Sequence, residues 1–355
     1  VTATFSPARN AGTMIAFDPP PRPTWDALVA AHARACQAMA GAPPTSPGFR
    51  LYWARPNGIG WTDLSSTGSY AILGRHTACD AVLDADPTLP LRHLLATTVP
   101  LADGLALRLL DLQTGTPFSL GDGQARRSLV VSGPVAVSVG ALVVGAVPIE
   151  ETDAGLKLCV DPLVRPKVTD ARTSSVMHGT GDPYRSPAKP PRYSGARATI
   201  ITSMPAARSF SDLAPSRASA RPDAAQAHSF APDAAACIVV RRGKLMAAVD
   251  LSAEQLEQGV ILGRADRCLD QGLMTVLNNA TSRAHVLLMR NPQEPSVLDV
   301  FDLCSTNGTY VEGQRVRRIR VPGSTPHEAT DGATFVLGLR DAAVTVKVRF
   351  PPARS

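Results

Sequence analysis

No two of the six cysteines, at positions 36, 79, 159, 237, 268 and 304, approach the C-x-x-C spacing that metal clusters and redox motifs require. They read as scattered, reduced, mostly buried thiols. The seven histidines are equally dispersed, with no H-E-x-x-H pair to hold a metal on one helix face. A Gly-rich phosphate loop ending in G-K followed by Ser or Thr is missing, and so is a G-x-S-x-G nucleophile elbow. These absences predict a chain that is not an enzyme and carries no cofactor and no metal. The start of the chain mixes Arg9, Asp18 and Pro19-Pro20-Pro21 and lacks the basic-then-apolar order of a secretory signal, which predicts a cytoplasmic location.

The 355 residues suffice for two or three domains, and with 44% hydrophobic residues they can bury real cores. Lys and Arg outnumber Asp and Glu by 36 to 30, a net charge of +6 that would suit an anionic partner without naming one. One stretch, Ser128 to Ile149, carries no charge and has about the length of a membrane span. It is broken by Ser132, Gly133, Pro134, Ser138 and Gly140 and alternates at Val135, Val137 and Val139, so buried strands are expected and a membrane is not.

Four regions follow from composition and period. Residues 1–48 form a Pro-rich tail and one helix, Trp25 to Met39, started near Thr24 and stopped by Gly41 and Pro43-Pro44. Residues 49–164 are short apolar segments bounded by Gly, Asp and Pro, the pattern of an all-β domain. Residues 165–236 are dominated by Pro, Ser, Ala and Arg without sustained period and read as a disordered linker. Residues 237–350 return to the β pattern, for example Val297-Leu298-Asp299-Val300-Phe301.

The two β regions share landmarks. Ala71-Ile72-Leu73-Gly74-Arg75 echoes Val260-Ile261-Leu262-Gly263-Arg264, and Arg92-His93 followed by Asp111-Leu112 echoes Ala284-His285 followed by Asp302-Leu303. The offsets, 189 residues for the arginines and 192 for the histidines, nearly agree and imply a duplicated domain. In the second copy three pieces stand out: Gly263-Arg264, Ser282-Arg283-Ala284-His285, and Ser305-Thr306-Asn307-Gly308-Thr309. The last two fall at turns between apolar strands, where binding residues on sandwiches usually sit. In this order and spacing they resemble the forkhead-associated (FHA) domain over residues 237–350, and more faintly over 49–150.

That resemblance implies eleven-stranded β-sandwiches whose loops at one end bind phosphothreonine peptides. By resemblance, Arg264, Ser282 and Thr306 contact phosphate, Arg283 supplies a further contact, Asn307 bonds the peptide backbone, and His285 braces the loop from beneath. Gly263 and Gly308 are expected to support the site through the backbone. The residue chemistry agrees. A phosphothreonine carries about −1.5 to −2 charge and needs fixed cationic and hydroxyl donors. Charge-assisted bonds contribute about 1.5–3 kcal/mol each, so three or four reach roughly micromolar affinity after association costs.

In the first copy the positions matching Ser282 and Arg283 are Pro90 and Leu91, and the Asn-bearing turn has become Gln113-Thr114-Gly115-Thr116. Most donors are gone, so this copy reads as a domain kept to pack against its neighbour or to dimerise. The expected protein is a phosphothreonine-reading adaptor in Ser/Thr kinase signalling, its partner a phosphorylated protein, a kinase or a kinase substrate. Linker threonines Thr169, Thr173, Thr180, Thr199 and Thr202 would allow intramolecular docking once phosphorylated, since a flexible tether gives about millimolar effective concentration; an inert spacer is the favoured reading of this segment. The competing reading is an assembly scaffold using both sandwiches for phosphate-independent contacts. Nucleic-acid binding by the basic linker is not expected, because stacking aromatics are sparse there.

Overall fold

The computed structural model describes residues 21–55, 57–65, 69–101, 104–112, 114, 116–165, 200–205, 230–265, 271–277, 281–291, 294–323, 333–338 and 343–351. Of the linker threonines only Thr202 falls within them, and there only its backbone is described.

The first half runs α1 (Trp25–Met39), β1 (Gly48–Arg55), β2 (Gly58–Ser65), β3 (Tyr70–Gly74), β4 (Ala81–Val82), β5 (Leu94–Leu101), β6 (Gly104–Asp111), β7 (Arg126–Val131), β8 (Val135–Val139), β9 (Leu142–Thr152) and β10 (Gly155–Leu158). One sheet has the order β10-β9-β1-β2 with β8 beside β9. Its partner sheet has the order β7-β6-β5-β3-β4, extended at the β7 edge by β11 (Ile200–Pro205). That strand pairs antiparallel with β7 from inside the segment whose composition predicts a linker. Leu51, Leu73, Leu94, Leu109, Phe118 and Leu129 fill the space between the sheets. The uncharged stretch 128–149 falls in β7 of one sheet and in the antiparallel β8-β9 pair of the other, and no described helix is long and apolar enough to cross a membrane.

Helix α1 begins where the sequence places it, with the Thr24 hydroxyl accepting the Ala27 N–H at 3.4 Å. Leu28 and Ala31 pack on Ala136 and Val143, and Ala35 and Met39 pack on Tyr52 and Val147. His32 lies 2.9 Å from the Tyr52 hydroxyl. The helix therefore covers the outer face of the β8-β9-β1 sheet, which explains why the middles of these strands read as unbroken apolar runs.

The second half runs β12 (Ala234–Arg242), β13 (Leu245–Ser252), α2 (Ala253–Gln258), β14 (Val260–Leu262), α3 (Gln271–Val276), β15 (Val286–Arg290), β16 (Val297–Asp302), β17 (Thr309–Val311), β18 (Gln314–Val316), β19 (Arg318–Pro322), β20 (Thr334–Leu337) and β21 (Val344–Arg349). Its sheets have the orders β13-β12-β21-β20-β17-β18 and β14-β15-β16-β19. Ile238, Leu262, Leu288, Val300, Phe335 and Val346 form the core between them. The sequence predicts a single helix, at the N-terminus; α2 and α3 are two further helices of six residues each. A capping box, Ser252 with Gln255, starts α2.

The two halves repeat the same plan. In both, the first strand lies between the second and a strand late in the copy (β2-β1-β9 and β13-β12-β21), and the opposite sheet follows one antiparallel sequence (β3-β5-β6-β7 and β14-β15-β16-β19). Among the described residues, the hairpin β17-β18 occurs in the second copy, and the added strands β4, β10 and β11 in the first.

The copies also pack against each other through the outer faces of these corresponding sheets. Ile72, Leu95, Leu110 and Leu112 of the first meet Ile261, Leu287, Phe301 and Leu303 of the second in one apolar cluster. Corresponding positions of the two copies enter the same cluster, so the interface has the self-complementary character of a two-fold homodimer built within one chain. Polar contacts rim it. The Tyr70 hydroxyl lies 2.6 Å from the Arg317 carbonyl oxygen, Arg317 pairs with Asp80 at 2.7 Å, and Tyr70 meets Phe301 edge-on with centroids 4.9 Å apart.

Candidate functional site

The site is assembled where β14 ends. A Cβ on Gly263 would lie 2.2 Å from the Arg283 carbonyl oxygen and 2.9 Å from the Ala284 Cα, so only glycine lets segment 281–285 press onto this strand end. The contact is then locked by backbone bonds, Arg264 N–H to the Ser282 oxygen and Ala265 N–H to the Arg283 oxygen, each 3.1 Å. Arg264 is exposed, and its Nε donates to the Thr281 carbonyl at 3.0 Å, which fixes one edge of the guanidinium. Arg283 is also exposed, one residue beyond Ser282.

His285, with no exposure, ties three chain segments together. Its Nδ1 accepts the Ser282 N–H at 3.0 Å, so Nε2 carries the proton and donates to the Gly308 carbonyl at 3.0 Å. Burial holds its pKa below the ordinary histidine value, which keeps the ring neutral and this tautomer in place. Ser282 completes the bridge: its Oγ accepts the Thr306 N–H at 3.0 Å. Thr306 is exposed and Asn307 half-buried on the same turn.

That turn is stiffened by a residue the sequence reading does not single out for the site. The buried Asp302 carboxylate accepts the Ser305 N–H at 2.7 Å, the Ser305 hydroxyl at 2.6 Å and the Thr309 hydroxyl at 2.7 Å. Arg315 on β18 adds a bond to the Ser305 carbonyl at 3.1 Å. An Asp three residues before a Ser is a local turn signal legible in sequence. Gly308 takes φ +79, a conformation that disfavours any side chain, and a Cβ there would meet Arg315 Nε at 2.7 Å. Arg264, Ser282, Arg283, Thr306 and Asn307 thus lie on three turns braced together by Gly263, His285, Gly308 and Asp302.

The first copy keeps the frame and loses the donors. Gly74 is pressed by Leu91 as Gly263 is by Arg283, a Cβ there meeting the Leu91 oxygen at 2.3 Å. Arg75 N–H bonds the Pro90 oxygen and His76 N–H the Leu91 oxygen, while Arg75 Nε bonds the Leu89 carbonyl. These match the second-copy bonds one for one and equate Pro90 with Ser282 and Leu91 with Arg283. Proline has no N–H, so His93 lacks the donor that His285 accepts from. The ring adopts the other tautomer: Nδ1 donates at 2.8 Å to the Thr114 hydroxyl, which in turn donates to Asp111 at 2.8 Å.

The second copy is thus a two-layer sandwich that presents cationic and hydroxyl side chains on braced end loops. Residues 260–338 match the family model of the FHA domain. The C-terminal sandwich accordingly carries the FHA-domain match. Among solved structures, the chain is similar to the first FHA domain of Rv1747 from Mycobacterium tuberculosis at 21% identity, covering 33% of this chain and 99% of that one, with a TM-score of 0.23. It is similar to the FHA1 domain of yeast Rad53 at 15% identity, covering 35% and 81%, with a TM-score of 0.26. The yeast Dun1 FHA domain, solved with a doubly phosphorylated peptide, is 12% identical over 41% and 95%, with a TM-score of 0.25. No curated protein matches the chain.

Proposed function

We propose that this chain is a phosphothreonine-peptide-binding adaptor in Ser/Thr kinase-dependent signalling, with the C-terminal sandwich as reader and the N-terminal sandwich as its fixed structural partner. The observation that carries this reading is the bridge from His285 through Ser282 to Thr306, flanked by the exposed Arg264 and Arg283. It joins hydroxyl and guanidinium donors into one preorganised cluster, so little ordering cost remains at binding. Ser282 accepts from Thr306, and its own O–H is the group it gives to phosphate. Arg264 and Arg283 supply the charge, Thr306 a second hydroxyl, and Asn307 reads the peptide backbone.

The first copy supports its partner by packing. Pro90 and Leu91 stand where the reader has Ser282 and Arg283, and its sheet face is buried in the shared apolar cluster. Excising residues 237–350 alone would bare Leu287, Phe301 and Leu303, so the full chain is the material to test. Titration of the full chain with a degenerate phosphothreonine peptide library, beside its unphosphorylated counterpart, should give phosphate-dependent binding that Arg264→Ala weakens by at least about tenfold. Binding that ignores phosphate, or is unaffected by Arg264→Ala, would instead make the chain a scaffold.

A further inference from the structure

Packing of the two copies creates a cleft that neither holds alone. Arg75, Leu91 and Arg92 of the first copy and Ala265, Arg283 and Ala284 of the second line one cavity of about 590 Å³. Three guanidinium-bearing residues from two domains share it, and no carboxylate lines it. Asp86, whose charge interacts with Arg75, is held instead by the Thr88 hydroxyl and the Ala141 N–H. Cationic residues lining a concave site focus a positive potential that draws in an anion.

The arginines are also oriented. Arg75 is anchored through Nε to the Leu89 carbonyl, and Arg92 reaches across the interface to the Cys304 carbonyl, 3.2 Å from Nε and 2.5 Å from Nη2. A guanidinium fixed along one edge presents the rest of its fork in a set direction, suited to the paired oxygens of a carboxylate or phosphate. Location decides what the anion belongs to. Ala265 follows Arg264, and Arg283 follows Ser282, so the cleft opens beside the cluster assigned to phosphothreonine.

We propose that this inter-domain cleft is a second anion subsite, in which Arg75 and Arg92 together with Arg283 receive a carboxylate or a second phosphoryl group carried by the same peptide, a few residues from its phosphothreonine. The subsite rests on the phosphothreonine reading of the C-terminal cluster. It gives the first copy a role in recognition although its own Ser and Asn donors are gone.

The test uses the full chain and fluorescence anisotropy with phosphothreonine peptides, degenerate elsewhere, in which each flanking position in turn is Ala, Glu or phosphoserine. At one or two positions Glu or phosphoserine should bind roughly tenfold or more tighter than Ala, as expected for an added charge-assisted contact. A gain with Glu identifies a carboxylate partner, and a gain with phosphoserine alone a second phosphoryl group. Arg75→Gln should bring the ratio of acidic to Ala peptide towards one, and Arg75→Gln with Arg92→Gln should bring it there fully. The single variant avoids disturbing the Arg92 bridge, and a thermal melt checks the fold of both. Phosphothreonine-dependent, Arg264-dependent binding with no acidic preference, or a preference that survives both variants, overturns the subsite and leaves the reader standing. Loss of all phosphothreonine dependence overturns the reader, and the subsite with it.

Discussion

Acidification should destabilise the first copy through one ring. His93 is fully buried, and burial pushes its pKa down from 6.5 to about 4. Because the folded pKa is the lower one, the unfolded chain takes up the proton first, and stability is complete above pH 6.5 and lost as pH falls towards 4. The loss from this residue amounts to about 2 kcal/mol between pH 7 and pH 5, and about 3 kcal/mol by pH 4. Protonation would also place a second N–H at Nε2, a buried position with no hydrogen-bond partner among the described residues. The assay is urea denaturation of the full chain at pH 7, 6, 5 and 4, comparing the native protein with His93→Gln. Subtraction cancels His32 and His285, which are also held below their ordinary pKa and lose stability in the same direction. The native protein should lose about 2 kcal/mol more than the variant between pH 7 and pH 5. Identical pH profiles would refute the argument that His93 is buried neutral.

Arg264→Ala should weaken phosphothreonine-peptide binding by at least about tenfold, the worth of one charge-assisted bond, in anisotropy titration. Gly263→Ala drives a methyl to 2.2 Å from the Arg283 oxygen and should cost about 1–3 kcal/mol in chemical denaturation while also weakening the peptide. Gly74→Ala, with the same clash against Leu91, should destabilise comparably yet leave the binding of an Ala-flanked phosphothreonine peptide in place. Phe301→Ala removes a ring from the inter-domain cluster and should cost about 3–5 kcal/mol by denaturation.

How much was legible varies by element. Helix α1 was readable because its cap at Thr24 and its stop at Gly41 lie in a local run of good helix formers. The uncharged stretch 128–149 resolved into strands on its period of two, a property of a few consecutive residues. The helices α2 and α3 were not read, since six residues are too few for a helical period to show. Strand β11 lies in a segment without apolar period, and its pairing depends on the exposed edge of β7, which no local pattern announces. Asp302 was visible only as a landmark beside Leu303; its three bonds to the Thr306 turn appear once the chain is folded.

The sequence by itself determined that the chain is mostly β, that its two β regions are copies, and which copy retains hydroxyl, guanidinium and amide donors. Those properties are carried by residue identity and spacing along the chain. Only the tertiary structure decided that the outer sheet faces of the copies bury each other, that Pro90 forces His93 into the tautomer opposite to His285, and that Arg75 and Arg92 share a cleft with Arg283. Each of these needs groups that meet over distance along the chain, from the 21 residues between His93 and Thr114 to the 212 between Arg92 and Cys304, where local propensity and period carry no information and burial and hydrogen-bond satisfaction select the partner.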